Sequence, residues 1–216
     1  MLFLSIAAFC QNDIKATVDS LYREDQIYAS LSLNLIQNKP GELNQHSLSS
    51  AITVGFLRDM PFNKKRTWAF ATGFGYAYSN LKNNLKVSQN NNVVSYSFDD
   101  KFDKNKLVLH YLEMPIEFRW RNSTFESHKF WRVYTGFKIS YLFASKSVYE
   151  SAAENNSVRN NADLSKINYG AYLSVGNNTG NLYAYYALNP LFKNVQVNNS
   201  DLNLSSFNIG LVFYIL

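Results

Sequence analysis

Two carboxylates, Glu113 and Glu117, share a stretch with Arg119, and a second stretch just beyond carries Arg132 and Lys138. Paired carboxylates can do acid–base chemistry, one holding a proton while the other stays charged. The same residue types also make a structural network, since charges taken out of water must be paired with one another. The three histidines add little to the catalytic reading. His46 and His128 fall in polar links, and His110 shares parity with greasy neighbours, as an interface residue does. No H-x-x-x-H pair, nucleophile elbow or phosphate-cradling glycine loop is present, so no catalytic, cofactor-binding or metal-ligating residue is expected and no cofactor is called for. A hydrolase would need a Ser or Asp beside a His on one face. Folding could assemble that from distant residues, which keeps an enzyme open as a minor alternative.

The elements that carry these charges are LVLHYLEMPIEFRWR (107–121) and KFWRVYTGFKISYLFAS (129–145). In the first, Leu112, Met114, Ile116, Phe118 and Trp120 fall on one parity, and Glu113, Glu117, Arg119 and Arg121 on the other. In the second, Trp131, Val133, Thr135, Phe137, Ile139, Tyr141 and Phe143 oppose Arg132, Tyr134, Gly136, Lys138 and Ser140. Side chains alternate faces along a strand, whereas a 3.6-residue period would scramble both rows. The pair reads as an antiparallel ribbon with one greasy and one charged face. Each strand exceeds the 9–11 residues, roughly, that a tilted membrane-crossing strand needs. A soluble sandwich could bury the greasy rows against a second sheet, so the ribbon alone leaves both architectures open.

Composition narrows the class. With 15 Tyr, 16 Phe and only 17% charged residues among 216, the chain suits an all-β domain better than a helical enzyme. The net charge of +5 comes from scattered basic residues without a compact patch, which argues against nucleic acid as a partner. Residues 1–10 read as an export signal, with an apolar run from Leu2 to Phe9 and small residues around the cleavage site. The basic n-region is missing, so a truncated start is expected. Cys10 is the only cysteine. It leaves with the signal or carries a lipid, and the bulky Phe9 before it argues against the lipid. Without it the mature chain has no thiol chemistry. No apolar run reaches the length of a membrane helix.

The rest divides into a polar periplasmic lead-in (11–25) and a barrel domain (26–216). Six further alternating segments are expected at 26–37, 47–57, 68–79, 166–176, 181–189 and 202–216. Residues 68–79 are the cleanest, with Trp68, Phe70, Phe74, Tyr76 and Tyr78 against Ala69, Ala71, Gly73, Gly75, Ala77 and Ser79. Small inward residues let a narrow barrel close around bulkier neighbours. With the ribbon, eight strands result. Their links alternate: short after the second, fourth and sixth, including a basic turn at 59–66, and longer after the others. The longest links are 80–106, where VVSYSF could extend the flanking strands, and 146–164. Short turns on one side and long loops on the other mark an outer-membrane barrel, and a sandwich has no reason to sort its links. Trp68, Trp120 and Trp131 all have outward parity and all fall at the short-turn end, as an aromatic interface girdle would. The expected fold is therefore an all-β, eight-stranded antiparallel transmembrane β-barrel in the outer membrane, in contact with its lipids.

Such a barrel is filled by its own side chains. Glu113, Glu117, Arg119, Arg132 and Lys138 then read as a lumen ion-pair network, packed with Tyr134, Tyr172, Tyr183 and Tyr185 into a plug that conducts nothing. A hairpin turning near Phe125 and Glu126 would set Glu113 opposite Lys138 and Glu117 diagonal to Arg132. Pro115 removes a ladder donor, and a bulge is expected there. The closing stretch Asn208–Ile215 resembles the polar-x-Gly-x-x-apolar-x-apolar signal read by the outer-membrane assembly machinery, departing from it at Leu216, where an aromatic is more common.

YLEMPIEFRWRNST and KFWRVYTGFKISYLF resemble the PorT family of small outer-membrane barrels of the Bacteroidetes. The Tyr111-Leu112-Glu113-Met114-Pro115 run matches wider relatives as well, and the likeness extends from about Ser30 to the end. The resemblance implies a non-enzymatic accessory or assembly role in type IX protein secretion, with gliding motility in species that glide, and other secretion proteins as partners. It carries over no catalytic residue and implies no small-molecule substrate. A generic barrel that is structural or binds through its loops is the alternative.

Overall fold

The computed structural model describes residues 25–45, 47–91, 93–122 and 131–215. The expected export signal, nearly all of the expected lead-in, His46, His128 and residues 123–130, where the turn near Phe125 and Glu126 is expected, lie outside the described residues. The elements are β1 (Gln26–Gln37), β2 (Ser50–Pro61), β3 (Trp68–Lys82), β4 (Leu85–Asn90), β5 (Val93–Phe98), β6 (Lys104–Arg121), β7 (Trp131–Glu150), β8 (Asn155–Arg159), β9 (Ile167–Asn177), β10 (Gly180–Ala187), β11 (Gln196–Val197), β12 (Ser200–Asp201) and β13 (Ser205–Ile215). The main sheet runs β6-β3-β2-β1-β13-β10-β9-β7-β8, and β6 pairs back onto β7. That last pairing closes eight strands into an antiparallel barrel and leaves β8 as a flap on the far end of β7.

Burial follows the period-2 rows. Along β1, Ile27, Leu31, Leu33 and Leu35 are exposed while Tyr28, Ser30, Ser32 and Asn34 are buried, and the same inversion recurs around the wall. Apolar residues outside and polar ones inside is the arrangement of a sheet whose outer solvent is lipid. Closure pairs both edges of each of the eight barrel strands, which hydrocarbon requires.

The short-turn rim is aromatic. Trp68 stands directly opposite Trp120, with ring centroids 6.4 Å apart, and Phe118 lies 5.1 Å from Trp68. Trp131 is 55% exposed at the same end of the neighbouring strand. At the other rim Tyr76, His110 and Phe143 lie within 6.2 Å of one another, and the Tyr76 hydroxyl is 2.7 Å from His110 Nδ1.

Two local expectations are corrected. The ladder between β3 and β6 keeps one register from Trp68↔Trp120 to Lys82↔Lys106, and its pairing lapses only between Thr72↔Ile116 and Gly75↔Glu113. Pro115 is accommodated by that gap, with the Thr72 hydroxyl donating to its carbonyl at 3.1 Å. The bulge lies instead at His110/Tyr111, where β6 and β7 leave the belt. VVSYSF is β5, which pairs only with β4 in a hairpin of its own, while β3, β6 and β7 lengthen independently.

The long links thus form a cap. Leu43, Leu81, Val87, Leu109, Leu142, Val158, Leu164, Phe192, Val195 and Leu202 share one apolar core over the barrel mouth. Asparagine shapes the connections: among the described residues every positive-φ residue is Asn, apart from Arg66. Asn tolerates the left-handed region better than other side chains do, so the Asn-rich links make tight turns.

Candidate functional site

Among the described residues the lumen holds seven charged side chains, all nearly inaccessible: Asp59, Glu113, Glu117, Arg119, Arg121, Arg132 and Lys138. Six of them sort into two groups along the barrel axis, and Arg132 stands opposite Arg121 at the short-turn end. Near the short-turn end, Arg121 grips Asp59 with both ends of its fork, Nη1 to Oδ1 at 3.0 Å and Nη2 to Oδ2 at 2.9 Å. Arg119 reaches the same carboxylate with Nη1 at 3.0 Å and Glu117 with Nε at 2.7 Å. The Arg121 Nε donates to the carbonyl of Arg66, anchoring the β2–β3 turn. Paired forks of this kind are the strongest ion-pair geometry a carboxylate offers. Arg119 also lies 4.7 Å from the Tyr134 ring centre, a cation–π contact inside a tyrosine shell.

Toward mid-barrel, Lys138 Nζ lies 2.9 Å from Glu113 Oε2 and 3.1 Å from the Tyr183 hydroxyl. Tyr172, Tyr183 and Tyr185 surround that ammonium, with ring centres 5.3–5.5 Å away. Tyr172 links the two groups, since its hydroxyl donates to Glu117 Oε1 at 2.9 Å. Tyr28 and Tyr214 complete the packing. Tyr28 lies across Gly55 and Gly75, where any Cβ would strike its ring or hydroxyl. Those two glycines face each other in the register and leave the floor on which a tyrosine fits.

Between this plug and the cap remains a cavity of about 50 Å³, lined by Asn34, Ser79, Glu113, Lys138, Ser140 and Tyr185 among others. That is room for a few waters. Beyond it the apolar cap core closes the mouth.

The register differs from the expected one by two residues. Lys138 stands opposite Pro115, Glu113 opposite Ser140, Glu117 opposite Gly136, and Arg132 opposite Arg121. Faces are unchanged, because a shift of two preserves parity. The long side chains of Glu113 and Lys138 still meet, across the diagonal. Glu117 meets Arg119 on its own strand rather than Arg132. Asp59 was missed, although it is the anion that Arg119 and Arg121 share. The 59–66 stretch reads as a basic turn only if β2 stops at Leu57. Carrying its inward row of Ala51, Thr53 and Gly55 two steps past Leu57 puts Asp59 inside. Tyr28 was legible in the same way, on the polar row of β1.

Comparison with known proteins gives the architecture its family. Two crystal structures of Ail, the attachment invasion locus protein of Yersinia pestis, are similar to this chain, each at 11% identity. The one in complex with the heparin analogue sucrose octasulfate has a TM-score of 0.43, covering 89% of this chain and 99% of that one. The other has a TM-score of 0.42 and covers 88% and 97%. No curated protein matches the sequence. The model of the outer membrane protein beta-barrel domain matches residues 9–193, most of the chain. This protein belongs to the outer membrane protein beta-barrel domain family, and its place is the outer membrane.

Proposed function

We propose that this barrel acts without catalysis, as an accessory or assembly component of type IX protein secretion that contributes surfaces rather than a passage. The observation that carries this reading is the filled lumen. Buried ion pairs and tyrosines occupy the half toward the short turns, the apolar cap covers the other end, and the space between measures about 50 Å³. A folded or extended cargo chain has no route through it. The secretion assignment rests on the likeness of residues 111–143 to PorT. That stretch is the β6–β7 ribbon, which supplies Glu113, Glu117, Arg119, Arg132 and Lys138 to the lumen. The charges therefore brace the wall at the place where the likeness is strongest.

Deleting the gene and taking a census of secreted proteins tests the role. Loss of type IX cargo, with other outer-membrane proteins at normal levels, is the expected result. A second reading, a generic barrel that binds through its loops, is favoured by the cap's own apolar core and the β4–β5 hairpin. Unchanged export with lost surface binding would select it.

A further inference from the structure

Just past the outer aromatic belt, the outward rows of β3, β6, β7 and β8 turn basic on one side of the barrel only. Lys82 stands directly opposite Lys106, and Lys146 directly opposite Arg159. Their outward direction is set by their buried neighbours: Leu81 and Asn83, Asn105 and Leu107, Ser145 and Ser147, and Val158. Among the described residues none of the four forms an ion pair, whereas nearby Lys104 is held by Glu150 at 2.7 Å. Like charges directly across a ladder are destabilising, so an anion bound across two such neighbouring pairs offsets that cost. A groove of about 390 Å³ opens beside the first pair, lined by Lys82, Lys104, Lys106, Asn80 and Asn105, with Asp103 its carboxylate. On the opposite side of the barrel the matching strand ends are uncharged: Gln37 beside Ser205, and Ser50.

Height identifies the anion. Lys82 and Lys106 lie four residues beyond Tyr78 and His110, which face each other in the outer belt. Four residues of a strand tilted by about 45° rise roughly 9 Å along the membrane normal. That carries the ammonium groups from the interface into the headgroup layer, within reach of phosphate. With the short turns on the periplasmic side, this layer belongs to the outer leaflet.

We propose that Lys82, Lys106, Lys146 and Arg159 form a binding face for the phosphorylated headgroup of an outer-leaflet glycolipid. The site is independent of the secretion role and rests only on the barrel's orientation in the membrane. Phosphate oxygens neutralise the facing cations, the acyl chains run down the greasy rows below, and the lipid stays on one flank of the barrel.

The test uses the whole barrel in zwitterionic nanodiscs, with or without a few mole per cent of diphosphoryl lipid A or its dephosphorylated form. Native mass spectrometry counts the lipid retained, and thermal unfolding is read in each disc. Wild type should retain the diphosphoryl form over the dephosphorylated one. Each cation removed should weaken retention roughly fivefold, so K82Q/K106Q loses about 25-fold. The same double variant should unfold at a higher temperature than wild type in purely zwitterionic discs, because the like-charge repulsion is gone, and at a lower one with diphosphoryl lipid A. A merely structural role for the lysines would not invert the sign. Equal retention of the two lipid forms, equal retention by the variant, or equal stabilisation by inorganic phosphate alone would overturn the proposal.

Discussion

Arg121 and Asp59 lock together end to end, Nη2 to Oδ2 at 2.9 Å and Nη1 to Oδ1 at 3.0 Å, with neither side chain exposed to solvent. The pair ties the end of β2 to the end of β6 across β3, and Arg119 takes its share of the same carboxylate. One anion thus holds two guanidinium groups at the short-turn end of the lumen. Asp59→Asn leaves both without their shared charge. Breaking a buried pair typically costs about 3–5 kcal/mol. The heat-modifiable gel shift of the folded barrel should occur at a lower temperature in the variant, and urea unfolding in detergent should give the size of the loss. An unchanged midpoint would mean that Asp59 is dispensable.

Tyr28 and Gly75 make a steric prediction. A methyl at position 75 would meet the Tyr28 hydroxyl, and would stand 2.9 Å from the Val54 carbonyl oxygen. Overpacking of this kind typically costs about 1–3 kcal/mol. Gly75→Ala should destabilise the barrel, and adding Tyr28→Phe should return part of the loss by removing the hydroxyl. If the double variant is no better than Gly75→Ala, the strain comes from backbone alone.

The cap carries a pH-sensitive contact. The Tyr149 hydroxyl donates to Asp99 Oδ2 at 2.6 Å, and the backbone N–H of Lys101 donates to Oδ1. Both bonds favour the charged carboxylate, the tyrosine's the more, and hold Asp99 below its ordinary range. A depressed folded-state value gives stability that is present above the unfolded value of about 3.9 and is lost as pH falls through the folded one. Acidification below about pH 4 should therefore raise hydrogen exchange in the β5–β6 link before the barrel wall responds. In Tyr149→Phe, an NMR titration of Asp99 should move up toward the ordinary carboxylate midpoint. No movement would remove the tyrosine as the cause.

In planar bilayers the purified barrel should show no stable pore, because Tyr28, Tyr134, Tyr172, Tyr183, Tyr185 and Tyr214 pack around the charges and leave a cavity of only about 50 Å³ above them. Sustained large conductance would mean that the plug opens in a membrane.

The wall was legible in the sequence because lipid and lumen impose opposite demands on alternate residues. β1 spans Gln26–Gln37, as its alternation predicts, and the eight barrel strands all fall on the expected segments. The strand register was not legible. The faces of β6 and β7 are the same after a shift of two, so hydrophobicity cannot choose between partners for Lys138. The cap was not legible either, since Val87, Val158, Leu164 and Leu202 meet only through long-range contacts and no period marks them. Asp59 falls between these cases: its parity is readable, but the basic run that follows it draws the expected end of β2 back to Leu57.

In the role proposed above, the lumen charges brace the wall and do no chemistry or transport of their own. Glu117→Leu combined with Arg119→Met tests it most directly. The two groups bond to each other at 2.7 Å, and Asp59 keeps Arg121 as partner when both are replaced. The measurement is the amount of heat-modifiable barrel in the outer membrane beside the amount of type IX cargo exported, in both single variants and the double one. The single variants should lose barrel and export together, and the double variant should recover both in proportion. A double variant that folds as well as wild type yet exports nothing would contradict the claim.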